Sequence, residues 1–117
     1  MKKLRVLTIL AGLLVTGCVN DPAPNAQMQL TEQAVVQASA VGADSQLLEM
    51  KQAQDNLRLA QKNMDEEDYK RARMLAEKAE LDARLAEVKV LVAKSEAQMT
   101  ELRGKITKLR KQLGAQQ

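Results

Sequence analysis

The chain offers little material for covalent chemistry. Its 117 residues hold one cysteine, Cys18, and no histidine, tryptophan or phenylalanine. Without imidazole, no side chain has an ordinary pKa that places a general base near neutrality. Ser39, Ser45 and Ser95 stand in no Gly-rich elbow of the kind that presents a nucleophilic hydroxyl. Carboxylates are matched by bases at i±3 or i±4, Glu77 with Arg73 and Glu80 with Arg84, which is the pattern of surface ion pairing. The run Asp65-Glu66-Glu67-Asp68 has neither the alternating ligands nor the glycine of a calcium loop, and reads as a capped helix start. Met50, Met64, Met74 and Met99 lie on or near apolar stripes, where thioethers fill cores. The expectation is a protein that is not an enzyme, with no catalytic residues, no metal site and no cofactor.

The thiol has another use. Lys2, Lys3 and Arg5 precede an apolar run from Val6 to Val15, which is shorter than the about 20 residues of a membrane span. This is a secretory signal over 1–17. A lone cysteine in an exported chain has no disulfide partner. Leu14-Val15-Thr16-Gly17-Cys18 resembles the lipobox of bacterial lipoproteins. The resemblance implies a thioether-linked diacylglycerol on Cys18, cleavage before it, and N-acylation. Three acyl chains exceed the two signals that stable anchoring takes. Val19, not Asp, follows the cysteine; by resemblance to enteric sorting rules, this implies the inner leaflet of the outer membrane, facing the periplasm. Removing the signal also removes the three bases that make the net charge +3, leaving 15 bases against 15 acids. Nucleic acid is therefore not an expected partner.

The elements must then carry the function. Asp21-Pro22-Ala23-Pro24 opposes a helix, so residues 18–28 read as the lipidated cysteine and a flexible tether. Met28 to Val41 is predicted as a short helix with Leu30, Ala34, Val35, Ala38 and Val41 on one face. Gly42 is its expected stop, and Asp44 or Ser45 the next N-cap; a helix continuing through a kink at Gly42 is the alternative. Ser45 to Met64 is predicted as a second helix. A third is expected from about Glu66 to Leu113, capped by Asp65. The fold class is all-α: an antiparallel helical hairpin with a long C-terminal heptad-bearing helix, preceded by a short helix, over 29–113. Residues 114–117 are expected to be a disordered tail.

Two stripes on the third helix stand out. Ala72, Ala76 and Ala79 follow Tyr69 and face Ala53, Leu57 and Ala60 of the second helix, and small residues let helices approach closely. The run Asp-Tyr-x-x-Ala-x-x-Leu-Ala-x-x-Ala-x-x-Asp-Ala, from Asp68 to Ala83, resembles small alanine-rich bacterial envelope lipoproteins that carry a helical domain of unknown function. The resemblance implies a helical periplasmic module, sometimes found beside peptidoglycan-binding domains, and no catalytic residues. A weaker resemblance is to a single tetratricopeptide-like hairpin. The second stripe is a heptad seam at alternating spacings of 4 and 3: Leu81, Leu85, Val88, Val92, Ser95, Met99, Leu102, Ile106, Leu109 and Leu113.

The second helix is long enough to cover only the first half of the third. From Val88 on, the seam needs another cover: the first helix, a second copy, or an envelope protein docking as a helix in a groove. After Glu101 come Arg103, Lys105, Lys108, Arg110 and Lys111 with no acid among them. They could meet an anionic surface, though offsetting the helix dipole is the simpler role. The expected partners are thus the membrane, through the lipid, and the chain itself or an unidentified envelope protein. The chain resembles the murein lipoproteins in being small, helical and heptad-bearing. It ends Gly114-Ala115-Gln116-Gln117 without a terminal lysine, so contact with peptidoglycan is expected to be non-covalent. The expected function is that of a structural or adaptor rod in the cell envelope, with regulation of an envelope enzyme or transporter as the alternative.

Overall fold

The computed structural model describes residues 21–115, and three helices run over them: α1 Asn25–Ala40, α2 Leu48–Asp65 and α3 Tyr69–Gly114. Among the described residues there is no strand, and no helix is long and apolar enough to cross a membrane. The signal segment 1–17 and the lipobox Cys18 lie outside the described residues.

Helix α1 starts at Asn25, so residues 25–28 belong to the helix and not to the tether. Pro24 stands at its N-cap, where proline's fixed φ is compatible with helix entry, and its carbonyl accepts from the Met28 N–H at 3.0 Å. Gly42 ends it at φ +98°, in the left-handed region, with Gly42 N–H bonded to the Ser39 carbonyl and Ala43 N–H to that of Ala38. This paired closure reverses the chain and excludes a continuous kinked helix. Asp44 does not cap α2. Its Oδ1 accepts from the Gln46 N–H at 2.9 Å in a local turn, and α2 begins three residues later than Ser45, after an extended Leu47.

The α2–α3 turn repeats the same closure with a residue less suited to it. Glu67 takes φ +59°, Glu67 N–H bonds to the Met64 carbonyl and Asp68 N–H to that of Asn63. A non-glycine residue here costs about 1 kcal/mol. Asp65 is the last residue of α2 and not the cap of α3. That role falls to Asp68, whose Oδ1 accepts from Arg71 N–H at 3.1 Å.

The contacts fix the topology. Helix α2 runs antiparallel to α3, with Asn56 donating to Asp82 and Lys89 reaching back to Glu49. Helix α1 runs parallel to α3: Thr31 meets Ala76, Gln37 donates to Glu87, and Lys94 donates to the Val41 carbonyl at 2.6 Å. The chain therefore enters at the same end as the α2–α3 turn, where Arg73 donates to the Pro22 carbonyl. Helix α3 overhangs the opposite end.

The core is almost entirely alanine. Ala72, Ala76, Ala79, Ala83 and Ala86 of α3 are fully buried against Ala53, Ala60 and Met50 of α2 and Ala34 and Ala38 of α1. Each methyl contributes only about 0.8 kcal/mol, so stability rests on close approach and on alanine's high helix propensity. Leu30, expected in the core, is 47% exposed, and Thr31 takes the buried place. The Thr31 hydroxyl lies 2.9 Å from the carbonyls of both Gln27 and Ala76. That gives its proton an acceptor in its own helix and one across the interface, where a leucine would hold the helices apart.

Candidate functional site

Helix α3 carries two heptad stripes, and they point in opposite directions. With about 100° of rotation per residue, the buried alanines from Ala72 to Ala86 stay within about 40° of one azimuth. Leu81, Val88, Val92 and Met99 fall within about 20° of the opposite pole. The exposures agree: the apolar seam residues range from 43% at Ile106 to 68% at Leu81. The first half of the seam was expected to lie under α2. It does not, because α2 and α1 pack on the alanine side, where small residues admit them. Leu81 and Leu85 are exposed like the rest. Among the described residues nothing covers the seam at any point, and α1 does not reach it either. Met74, 59% exposed, stands two positions beyond Leu81 toward the N-terminus of α3, with Lys78 between them.

The two ends of α3 differ. As far as Val90 one face is covered; from Leu91 to Gly114 every residue is exposed, with Lys94 still reaching the Val41 carbonyl at the edge of the bundle. That overhang is 24 residues, or about 36 Å. Its local support is internal to the helix: Lys105 pairs with Glu101 at 2.6 Å, and the hydroxyls of Thr100 and Thr107 donate to the carbonyls four residues before. Gly114 is still helical, which shortens the expected tail. Arg103, Lys105, Lys108, Arg110 and Lys111 are exposed, and their azimuths spread round the whole helix. They therefore do not form a single basic face for an anionic surface.

The hairpin residues named from sequence come together. Ala53, Ala60, Ala72, Ala76 and Ala79 are buried, Leu57 packs beside Met28, Ala60 and Ala76, and Tyr69 is half-buried at the first turn of α3. Two buried polar residues were not foreseen. Thr31 finds an acceptor across the interface, the Ala76 carbonyl, which the sequence does not show; Asn63 turns its amide back on its own helix and donates to the Leu59 carbonyl at 2.7 Å.

Electrostatics at the bundle are local. Glu80 accepts from the Gln27 amide at 2.7 Å and from Arg84 at 2.7 Å, which holds its carboxyl below the ordinary range. Glu49 is lowered in the same sense, chiefly by the bond from Lys89. Glu77 and Arg73 are not among the ion pairs, since Arg73 turns to Pro22. Among the described residues no three of His, Cys, Asp or Glu gather as metal ligands. The geometry leaves a long apolar ridge in the open.

An all-α hairpin bundle with one overhanging helix is thus the class of protein defined here. The chain belongs to the DUF4398 family, a domain of unknown function whose profile matches residues 26–102. It is similar to a DUF4398 family protein from Pseudomonas aeruginosa PAO1 known from a crystal structure, at 57% identity and a TM-score of 0.80, with 82% of this chain and all of that one covered. No curated protein matches significantly.

Proposed function

We propose that this protein is a lipid-anchored rod of the bacterial envelope, a structural or adaptor element whose working surface is the outer seam of α3. The single observation that carries this reading is the uncovered apolar stripe from Leu81 to Leu113, on the face opposite the bundle. Left in water, such a stripe forfeits about 25 cal/mol per Å², and a contiguous ridge of this kind marks an interaction surface. A catalytic role has no candidate residues to support it, since the chain lacks histidine and its carboxylates are paired or solvated.

Location follows from the lipobox resemblance and the topology together. An acylated Cys18 stands seven residues before α1, a reach of at most about 25 Å. The chain enters at the α2–α3 turn, so that end of the bundle would sit nearest the membrane and the overhang would begin at the far end. Regulation of an envelope enzyme or transporter is the second reading, favoured by no observation over the first.

Two measurements test this. Radiolabelled palmitate should enter the wild type and be lost, with membrane association, in Cys18→Ser. In intact cells a thiol at Leu102→Cys should react with a small maleimide severalfold more slowly than one at Lys108→Cys, which points away from the seam. Equal reactivity at the two positions would sink the interaction reading.

A further inference from the structure

The occupant of the seam can be read from the charges beside it, given the proposal that the seam is an interaction surface. We infer that it pairs with a second copy of this chain, antiparallel, the two α3 helices overlapping from about Arg73 to Gly114. A flat partner such as a lipid surface fits poorly. A strict seven-residue repeat drifts about 20° per heptad on a straight helix, so the stripe turns by roughly 80° between Leu81 and Leu113. Another helix supercoiling with α3 follows that turn, and a plane does not.

Flanking charges choose the direction. In a parallel, in-register pair Arg84 would face Lys89 of the second copy and Lys105 would face Arg110, with no opposite-charge pair anywhere along the seam. In the antiparallel arrangement one register stands apart. Placing Leu85 opposite Leu102 and Ile106 opposite Leu81 sets Asp82 against Arg103 and Lys89 against Glu96. Two-fold symmetry doubles these to four attractive contacts, against one repulsive pairing, Arg84 with Lys105, made twice. Sliding by one heptad one way gains Asp82 against Arg110 but sets Lys89 against Arg103 and Glu96 against itself. Sliding the other way gains Glu77 against Lys105 but sets Asp82 against Glu96 and Lys89 against itself.

The same register uses the ridge along its length: Met74 meets Leu113, and the one charged seam position, Lys78, falls opposite Leu109 near the end. It also covers each bare overhang with the bundle-bearing half of the other copy. The bundles leave the seam itself open, because each lies on the reverse face of its own α3; on the flank Asp82 accepts from Asn56 through Oδ2 and Lys89 bonds Glu49, which leaves Asp82 Oδ1 and two Lys89 donors to meet the second copy.

The test uses the full-length chain in intact cells, with two differently tagged single-cysteine variants, Leu85→Cys and Leu102→Cys, expressed together and oxidised. The expected result is an adduct of twice the monomer mass between the two tags, with no 85–85 or 102–102 adduct. Like-with-like adducts would overturn the antiparallel register while leaving self-pairing. An adduct with another protein would overturn the second copy and leave the seam as an interaction surface. Freely labelled thiols without adducts would overturn both. Arg103→Asp should lower the mixed adduct about tenfold, from two pairs lost and two repulsions gained. Adding Asp82→Arg in the same chain should restore it; failure to restore would count against the register.

Discussion

The two halves of α3 have the same helical character and the same heptad seam, yet they are held by different means. From Tyr69 to Val90 the helix has an alanine face locked against α1 and α2; from Leu91 to Gly114 the hydrogen bond that reaches it from outside, among the described residues, is that of Lys94 to the Val41 carbonyl. In the first half the usual order of a globular protein is inverted, with the smallest apolar residue inside and the bulky ones outside. The comparison teaches that side-chain size decides the inner packing of this helix, while the large apolar groups stay in the open. It also separates two stabilities. The bundle is held by tertiary packing, whereas the overhang is a helix propagated from it and supported by propensity and by bonds within its own turns.

The sharpest way to break the comparison is to make the inner face large. Ala76 is fully buried, and its carbonyl lies 2.9 Å from the Thr31 hydroxyl. Ala76→Leu must push α1 away and should destabilise the bundle by about 3 kcal/mol, read by urea unfolding followed by circular dichroism. Leu102→Ala, in the overhang, changes the side chain by the same three carbons yet, in protein diluted to the monomer, should move the same transition by less than about 0.5 kcal/mol. Similar losses from both would mean that the halves are one cooperative unit.

Glu67→Gly tests the hinge between the bundle's two longest elements. Glycine accepts the left-handed conformation without strain, and the turn's hydrogen bonds are main-chain to main-chain, so they survive the change. A gain of about 1 kcal/mol in the same unfolding experiment is expected, partly offset by the freer unfolded chain. Destabilisation would show that the Glu67 side chain contributes more than its backbone costs.

How much of this was legible beforehand follows the same division. The all-α class, the hairpin and both stripes could be read from periodicity, because alanine and leucine recur at 4-and-3 spacings over many turns. That the alanines of α3 face α2 was legible as well, since small residues recur on both helices. That the first half of the leucine seam stays uncovered was not: both stripes have the helical period, and only the close approach allowed by Thr31 and the alanines keeps α1 and α2 on one face. Helix ends were misplaced for a related reason. Asp44, Asp65 and Asp68 are all good caps by type, and the chain chooses Asp68 because the left-handed turns at Gly42 and Glu67 set where reversal happens. The seam residues themselves were legible, and their full exposure was not.

Gly104→Ala sharpens the contrast from the other side. A Cβ at Gly104 would meet nothing within 4 Å, so the change acts on the helix alone. Alanine should stabilise the overhang by about 1 kcal/mol. Amide exchange across 95–114 should slow by about fivefold, while the bundle's unfolding midpoint stays where it was. A shifted midpoint would join the halves that the contacts keep apart.

The smallest expected effect is a pH dependence confined to the covered half. The Glu80 carboxyl is held below its ordinary value, first by the Gln27 amide and then by Arg84. A depressed folded-state pKa means that the unfolded chain takes up the proton more readily. The stabilisation is therefore present above the unfolded value of about 4.3 and is lost as pH falls through the lower folded value. Glu80→Gln should be less stable than the wild type at pH 7, and the two should converge below about pH 4. Amide exchange in the overhang should show no such convergence, because Glu80 joins α3 to α1 through Gln27 and makes no contact beyond Arg84. A parallel pH response in the overhang would indicate that the bundle's electrostatics reach along the helix, and the division into two independently held halves would fail at its weakest point.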